Sequence, residues 1–308
     1  MLLNNENHNI SLIGIIVSYN PDFEKLKRLL EKLIPQVDAI VIVDNGSNTG
    51  FANWFKDQKY DRTTLLELND NVGIAAAQNI GINWANIQGA KQVLIFDHDS
   101  EPPCDFVIQL QTIFSALKKN GEKIAAIGPR FIDNRFIKNK TPSPFSKIKC
   151  GRMRGYYPTN DNTIISVDFL IASGCLISME AVKNIGPMTE ALFIDYVDIE
   201  WCFRARQLGW SLYGAWDVVM KHELGDDVLP IFGRAFPIHK PLRHYYAIRN
   251  VIWLTSRSKL NLKWKIALAY NGLRRFIFYA LFMPERFTRI KLMSLGIYHG
   301  ICGRMGRL

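Results

Sequence analysis

The sequence has no C-x-x-C pair. Its five cysteines, Cys104, Cys150, Cys175, Cys202 and Cys302, lie far apart in 308 residues, a spacing that argues against a disulfide framework and a thiolate zinc site and suits a reducing compartment. Long apolar runs are also missing. The longest, such as residues 276–283, fall well short of the ~18 residues a membrane-spanning helix needs, so no transmembrane helix is expected. The first nine residues are polar without a basic leader, so neither a signal peptide nor a transit peptide is expected there, and the expected location is cytoplasmic. Acids are scarce at the end of the chain. From Arg234 to Leu308 there are fifteen Lys or Arg and one acid, Glu285, a local charge of +14 against +10 for the whole chain.

Such a basic tail suits nucleic acid or an anionic membrane. Its interleaved Trp253, Trp264, Phe276, Phe278, Tyr279, Phe282 and Phe287 favour a lipid interface, and a solvated basic helix face is the plainer alternative. No nucleic-acid partner is expected, because phosphate contacts would leave the ordered acids of the first 200 residues unexplained.

What is present is a hydrophobic content of 48%, enough for one large folded domain with an extension or for two modest domains. Up to about residue 130, short Val/Ile-rich runs alternate with amphipathic stretches, the pattern of βα units on a parallel sheet. Strands are expected at 12–18, 39–43, 64–68, 92–96 and 123–127, with a helix near 22–34. Residues 131–162 loosen into Pro, Lys and Asn and read as a mobile loop or insertion over the site. Beyond it come a strand pair within 164–178 broken at Ser173-Gly174, a short helix from Met179 ended by Gly186-Pro187, a helix over 197–208, a strand over 211–220 and helices after Pro241.

Open α/β sheets bind ligands at the carboxyl ends of their strands. The candidates there are Tyr19, Asn20, Asp44, Asn45, Asn71, Asp97 and Asp99. A dinucleotide-binding unit needs G-x-G-x-x-G after the first strand, and that position reads Val17-Ser18-Tyr19-Asn20-Pro21. No P-loop occurs, and the Gly-rich phosphate loop of a nucleotidyltransferase is absent as well.

The strongest local signal is Phe96-Asp97-His98-Asp99-Ser100, two carboxylates spaced i, i+2 after a strand. Mg²⁺ or Mn²⁺ can bind such a pair and complete its shell with phosphate oxygens, although Asp99 could equally cap a following helix. Asp44-Asn45-Gly46-Ser47 offers a carboxylate for a base or ribose, or a turn. Asn71-Val72-Gly73 can line the same site or simply start a helix. Three acids, Asp195, Asp198 and Glu200, open the helix near 197. Helical spacing sets Asp195 and Asp198 on one face and turns Glu200 toward Arg204 as a surface ion pair. Asp198 is therefore the candidate base, with Asp195 and Trp201 supporting it. The alternative is three acids favoured only by the helix dipole. His222, after the strand at 211–220, is a candidate metal ligand or a structural histidine.

The runs Ile16-Val17-Ser18-Tyr19-Asn20-Pro21, Val43-Asp44-Asn45-Gly46-Ser47, Asn71-Val72-Gly73-Ile74-Ala75 with Asn79, and Asp97-His98-Asp99-Ser100 resemble, in order and spacing, the nucleotide-binding pattern of inverting GT-A glycosyltransferases. The segment 193–201 and the glycines Gly296, Gly300, Gly303 and Gly306 resemble the bacterial rhamnosyltransferase branch. The resemblance implies a GT-A type α/β fold, a nucleotide-binding and mostly parallel sheet flanked by helices with a C-terminal basic helical extension. It implies a catalytic domain at 1–240, with a donor half near 10–130 and an acceptor half near 160–240, and a membrane-associating extension at 241–308. It further implies donor-nucleotide contacts at Tyr19, Asn20, Asp44, Asn71 and Asp97, Mn²⁺ or Mg²⁺ at Asp97, Asp99 and His222, and Asp198 as base. The implied substrates are dTDP-L-rhamnose and a lipid-linked saccharide, met on the inner face of the cell membrane. Relatives often carry Glu-Asp at the base where this chain has Val197-Asp198, and the Q-x-x-R-W motif of processive synthases is absent, which implies addition of one or a few sugars.

Overall fold

The structure, a computed structural model, describes residues 10–48, 50–132, 143–159, 162–221, 227–231 and 234–308. The chain begins with β1 (Leu12–Ser18), α1 (Phe23–Leu33), β2 (Ala39–Asp44), α2 (Phe51–Gln58), β3 (Thr63–Glu67), α3 (Ile74–Ile87), β4 (Gln92–Asp97), α4 (Phe106–Lys119) and β5 (Ile124–Ile132). Asp22 starts α1 by accepting from the amides of Glu24 and Lys25, and Pro35 stands just beyond its end. The second part holds β6 (Phe145–Lys149), β7 (Arg152–Tyr156), β8 (Ile164–Ser166), β9 (Cys175–Ser178), α5 (Met179–Ile185), α6 (Val197–Gln207) and β10 (Ser211–Lys221). The hairpin of β11 (Asp227–Ile231) and β12 (Arg234–Ile238) leads into α7 (Pro241–Ser256), α8 (Leu262–Phe282) and α9 (Arg286–Cys302).

Eight strands form one sheet in the order β3-β2-β1-β4-β9-β5-β10-β8. β1 pairs parallel with both β2 and β4, so the direction of winding reverses at its carboxyl end, the position where open α/β sheets leave a ligand crevice. β9 runs antiparallel between β4 and β5, and β8 antiparallel on β10. The strand pair expected within 164–178 is therefore corrected: the two segments lie in different parts of the sheet, each stabilised by other strands. The expected loop at 131–162 is corrected in part, because β6 and β7 pair as a hairpin and Phe145 turns into the core; residues 133–142 lie outside the described residues.

Both faces of the sheet are covered, which is why its strands read as continuous apolar runs. Leu12, Ile16, Ile40, Ile42, Leu94 and Phe96 pack on α1, α2 and α4. Ile13, Ile15, Val17, Val41, Val43, Val93 and Ile95 face α3, α5 and α6, and the same core continues through Ala247, Val251 and Leu254 of α7 to Trp264 and Leu268 of α8. Trp264 is 2% exposed and stacks on Phe203 of α6, with centroids 4.7 Å apart and an interplanar angle of 2°. It belongs to the hydrophobic core on this face of the sheet rather than to a lipid-facing belt. The helices after residue 240 thus share a core with the sheet. Close approach of α9 to α7 requires glycine: a Cβ at Gly296 would meet the Tyr245 carbonyl oxygen at 2.7 Å, and one at Gly300 that of Arg249 at 2.7 Å.

Trp264→Ala is expected to cost about 3–5 kcal/mol in urea denaturation. Phe287→Ala, at a residue 76% exposed, is expected to stay within about 0.5 kcal/mol. Equal, small shifts would mean that the final helices do not belong to the cooperative core.

Candidate active site

Three strand ends meet at the switch point. Asp44 closes β2 and is buried, accepting from Ser18 Oγ at 3.3 Å, from the Ser47 amide at 3.2 Å and from Ser47 Oγ. Asn20, after β1, has a left-handed φ of 47°; its amide donates to Ser47 Oγ at 2.7 Å and its side chain accepts from the Asn48 amide at 3.0 Å. The loops after β1 and β2 are thereby tied into one ledge, and Tyr19 stands on it 45% exposed. Asn45 donates to Asn71 Oδ1 at 3.2 Å and accepts from the Val72 amide at 2.9 Å, while Asn71 Oδ1 also accepts from the Gly73 amide. Asn71 is thus a turn-former and a partner of Asn45 at once.

At the end of β4 the Asp97 amide donates to Ser173 Oγ at 3.2 Å, and Ser173 Oγ bonds Ser100 Oγ at 2.7 Å. Sequence reading marked Ser173-Gly174 only as a strand break; its hydroxyl instead braces the turn that carries both aspartates. Asp99 does not cap a helix, since α4 starts at Phe106 after Asp105. The same turn bonds the end of β10, where the Glu101 amide donates to the Lys221 carbonyl at 3.2 Å. His222 lies outside the described residues. Among the described residues no three His, Cys, Asp or Glu gather as a metal site.

Asp198 sits in the first turn of α6 and accepts from the Ala172 amide at 3.2 Å and the Ile199 amide at 2.8 Å. It is only partly exposed. Removal of its carboxyl from water is the largest influence and raises its pKa from 3.8 to about 6; the two amide bonds oppose this, while Asp195 and Asp97 push it further up. The base candidate is therefore within electrostatic reach of the β4 carboxylate. Asp195 is not one helical turn before it, as spacing suggested. It precedes α6 with a φ of 65°, in a segment where Phe193 and Tyr196 are also left-handed, a conformation that costs non-glycine residues about 1–2 kcal/mol each. Arg243 of α7 holds Asp195 through Nε at 3.2 and 3.3 Å.

Trp201, one helical turn after Asp198, is 2% exposed and donates to the Gly186 carbonyl at 3.0 Å, which fixes α6 in the core. One further expectation is corrected. Glu200 is 5% exposed, not a surface residue: it accepts from Arg204 at 2.7 Å and from Thr189 at 2.9 Å, and Arg204 reaches on to the Ile185 and Pro187 carbonyls. The pair ties α6 to the end of α5. Helical periodicity gave its partner correctly but could not show that α5 covers it.

Opposite stability shifts should follow. Glu200→Gln leaves Arg204 without its carboxylate and should cost about 2 kcal/mol. Folding raises the Asp198 pKa, so its ionisation weakens the fold as pH climbs from the ordinary carboxylate range to about 6. Asp198→Asn should then raise the melting temperature at pH 7, by about 2 °C or more. A lower melting temperature for Asp198→Asn would contradict this electrostatic assignment.

Comparison with known proteins shows the family and the fold. The chain is 35% identical over 256 residues to the dTDP-rhamnosyl transferase RfbF of Shigella flexneri, covering 82% of this chain and 83% of that protein. It is 23% identical over 296 residues to the low-salt glycan biosynthesis hexosyltransferase Agl10 of Haloferax volcanii, covering 95% and 92%. Among solved structures, S. aureus TarS 1-349 in complex with UDP-GlcNAc shares the fold with a TM-score of 0.58 at 14% identity, over 96% of this chain and 82% of that one. GalNAc-T7 with UDP, GalNAc and Mn²⁺ does so with a TM-score of 0.57 at 12% identity, over 91% of this chain and 59% of that longer one. The profile of Glycosyl transferase family 2 matches residues 15–186, more than half of the chain, and the protein belongs to that family of glycosyltransferases.

Proposed function

We propose that the protein is an inverting rhamnosyltransferase of polysaccharide synthesis that uses dTDP-L-rhamnose, with Asp198 as its catalytic base. The likeness to RfbF supports the donor. The observation that carries the mechanism is the Asp198 carboxyl, drawn partly out of water beside the end of β4 with its pKa raised to about 6. At neutral pH it is ionised yet more basic than an ordinary aspartate, which suits proton abstraction from a hydroxyl.

In this reading Tyr19, Asn20, Asp44, Asn71 and Asp97 bind the nucleotide, and Asp195, gripped by Arg243, keeps the segment before α6 in place. Asp198 accepts the proton of an acceptor hydroxyl. The freed oxygen pair bonds to the anomeric carbon from the side opposite the diphosphate, the bond to the diphosphate oxygen breaks, and the configuration inverts. The i, i+2 carboxylates Asp97 and Asp99 fit a hard divalent ion, which needs only one or two protein carboxylates when diphosphate oxygens and water complete its shell; His222 is a further candidate ligand. Mn²⁺ or Mg²⁺ held there would supply positive charge against the departing diphosphate.

A transfer assay with dTDP-L-rhamnose, set beside UDP- and GDP-sugars and run with and without EDTA, tests the reading. Turnover should need Mn²⁺ or Mg²⁺, fall strongly in Asp99→Ala, and rise with pH through a limb near 6 as Asp198 ionises. Asp198→Asn should lose roughly 10²–10⁴ in transfer with sugar-donor binding intact. Near-normal transfer by Asp198→Asn would remove the base, and full activity in chelator would remove the metal.

We also propose a lipid-linked saccharide as acceptor and peripheral residence on the cytoplasmic face of an anionic membrane, with residues 241–308 as the contacting segment. Among the described residues no helix is long and apolar enough to cross a membrane. α8 exposes Leu262, Ile266, Leu273, Ile277 and Leu281 at steps of four and seven, so they form one apolar stripe. Lys263 and Arg274 accompany it, and α8 contains no acid. Apolar area flanked by cations is the composition of a helix lying in an anionic interface. Sedimentation with phosphatidylglycerol vesicles should carry the protein down at low salt and release it as salt rises. Equal binding to neutral vesicles would discard the electrostatic contact.

A further inference from the structure

The segment between Leu192 and the first turn of α6 carries three non-glycine residues with left-handed φ, Phe193, Asp195 and Tyr196. Such a run persists only where its surroundings over-determine it. Its inward-facing carbonyls converge on one side chain. Asn250 of α7, 0% exposed, places Nδ2 at 3.0 Å from the Leu192 carbonyl oxygen, 2.8 Å from that of Ile194 and 2.9 Å from that of Asp195. Two amide hydrogens are thus shared among three acceptors. The other end of the amide is fixed as well, since Asn250 Oδ1 accepts from Arg249 Nε at 3.1 Å and Nη2 at 3.0 Å, which also assigns the amide its orientation.

Arg249, 1% exposed, extends the grip. Its Nη2 donates to the Leu192 carbonyl at 2.9 Å and its Nη1 to the Gly306 carbonyl at 2.5 Å, while the Gly306 amide donates to the Ala191 carbonyl at 2.9 Å. On the far side of the segment, the Phe193 carbonyl accepts from the Ile74 amide at 2.7 Å, and a Cβ at Gly73 would lie 2.5 Å from the Phe193 ring. The segment is therefore held between the N-terminus of α3, on the nucleotide side, and a buried pair on α7.

We propose that Asn250, oriented by Arg249, is a positioning residue for catalysis: it locks residues 192–196 so that α6 presents Asp198 to the acceptor. This rests on the reading of Asp198 as base. Asn is suited because the site needs two N–H donors and one acceptor without net charge; Asp would set a carboxylate against three carbonyl oxygens, and Leu would leave all three unbonded in a buried place. Removing the amide gives the left-handed segment room to relax and lets α6 shift by about 1 Å, while the groups that bind the sugar donor stay in place.

The test is steady-state transfer by the full-length protein, with the proposed sugar donor and acceptor, on Asn250→Ala, Asn250→Ser, Arg249→Lys and the double variant Asp198→Asn/Asn250→Ala. Circular dichroism and a melting curve fix the folded fraction of each. Asn250→Ala should lower kcat roughly 10²-fold, the scale of an ångström-sized misplacement, with the KM for the sugar donor within about twofold. Asn250→Ser, which keeps one donor, should recover part of that loss, and Arg249→Lys should show a smaller loss of the same kind. In the double variant Asn250→Ala should add almost nothing to the loss from Asp198→Asn, because there is no base left to position. The proposal is overturned if folded Asn250→Ala keeps its kcat, if donor KM rises as much as kcat falls, or if the two losses multiply. Should Asn250→Ala not fold, Arg249→Lys decides by the same split. Full transfer by Asp198→Asn alone would instead defeat the base reading.

Discussion

In the proposed mechanism, the chemistry at the carboxyl edge of the sheet depends on keeping one carboxylate partly out of water without neutralising it. Asp198 receives two backbone amides, which favour its charge, and lies near Asp195 and Asp97, which oppose it. With more hydration it would become an ordinary weak base. With less it would be protonated at neutral pH and unable to accept a proton. The surrounding architecture can be understood as the means of holding that intermediate environment: β9 brings Ala172 beneath the carboxyl through the turn before it, α6 supplies Ile199, and Arg243 takes up the charge of Asp195.

Holding a carboxylate there has a structural cost, visible in the three left-handed residues before α6. A regular helix start would need a capping side chain, and Tyr196 provides none. The segment instead obtains its hydrogen bonds from tertiary neighbours: Ile74 on one side, Asn250 and Arg249 on the other. The consequence is that α7 cannot be a detachable tail. It closes the core of the sheet through Val251 and Leu254 and satisfies the backbone of the segment that leads to Asp198.

Much of the fold was legible because buried parallel strands announce themselves as apolar runs. β1 has the bounds expected of it, and β2, β4 and β10 extend one residue beyond theirs. The ordered motifs also marked the loops that form the ledge, since Asp44 and Asp97 end β2 and β4 and Asn71 lies in the loop after β3. Three kinds of information were not there. β6 and β7 lack alternation, and their ordering comes from tertiary contacts such as Phe145 inserted over Gly214. The left-handed geometry of Asp195 has no glycine to mark it. The burial of Glu200 and Trp264 depends on which helix covers them, which i, i+4 spacing and aromatic content do not encode.

The basic aromatic tail shows what composition alone leaves open. Its residues divide by face rather than by type. Trp264, Ala267 and Leu268 of α8 face the core, whereas Leu262, Ile266, Leu273, Ile277 and Leu281 face outward, as do Lys263 and Arg274. A helix that serves only as a surface anchor needs one apolar face; α8 has two, one consumed by Phe203 and the neighbouring core. The arrangement joins the outward stripe to the catalytic core through a single rigid element. Arg275 of α8 makes the connection concrete: it donates at 3.0 Å to the hydroxyl of Tyr196, the residue two before Asp198. Whatever surface meets the outer stripe is therefore set at a fixed distance from Asp198, and a membrane there would orient the open edge of the sheet as well as retain the protein.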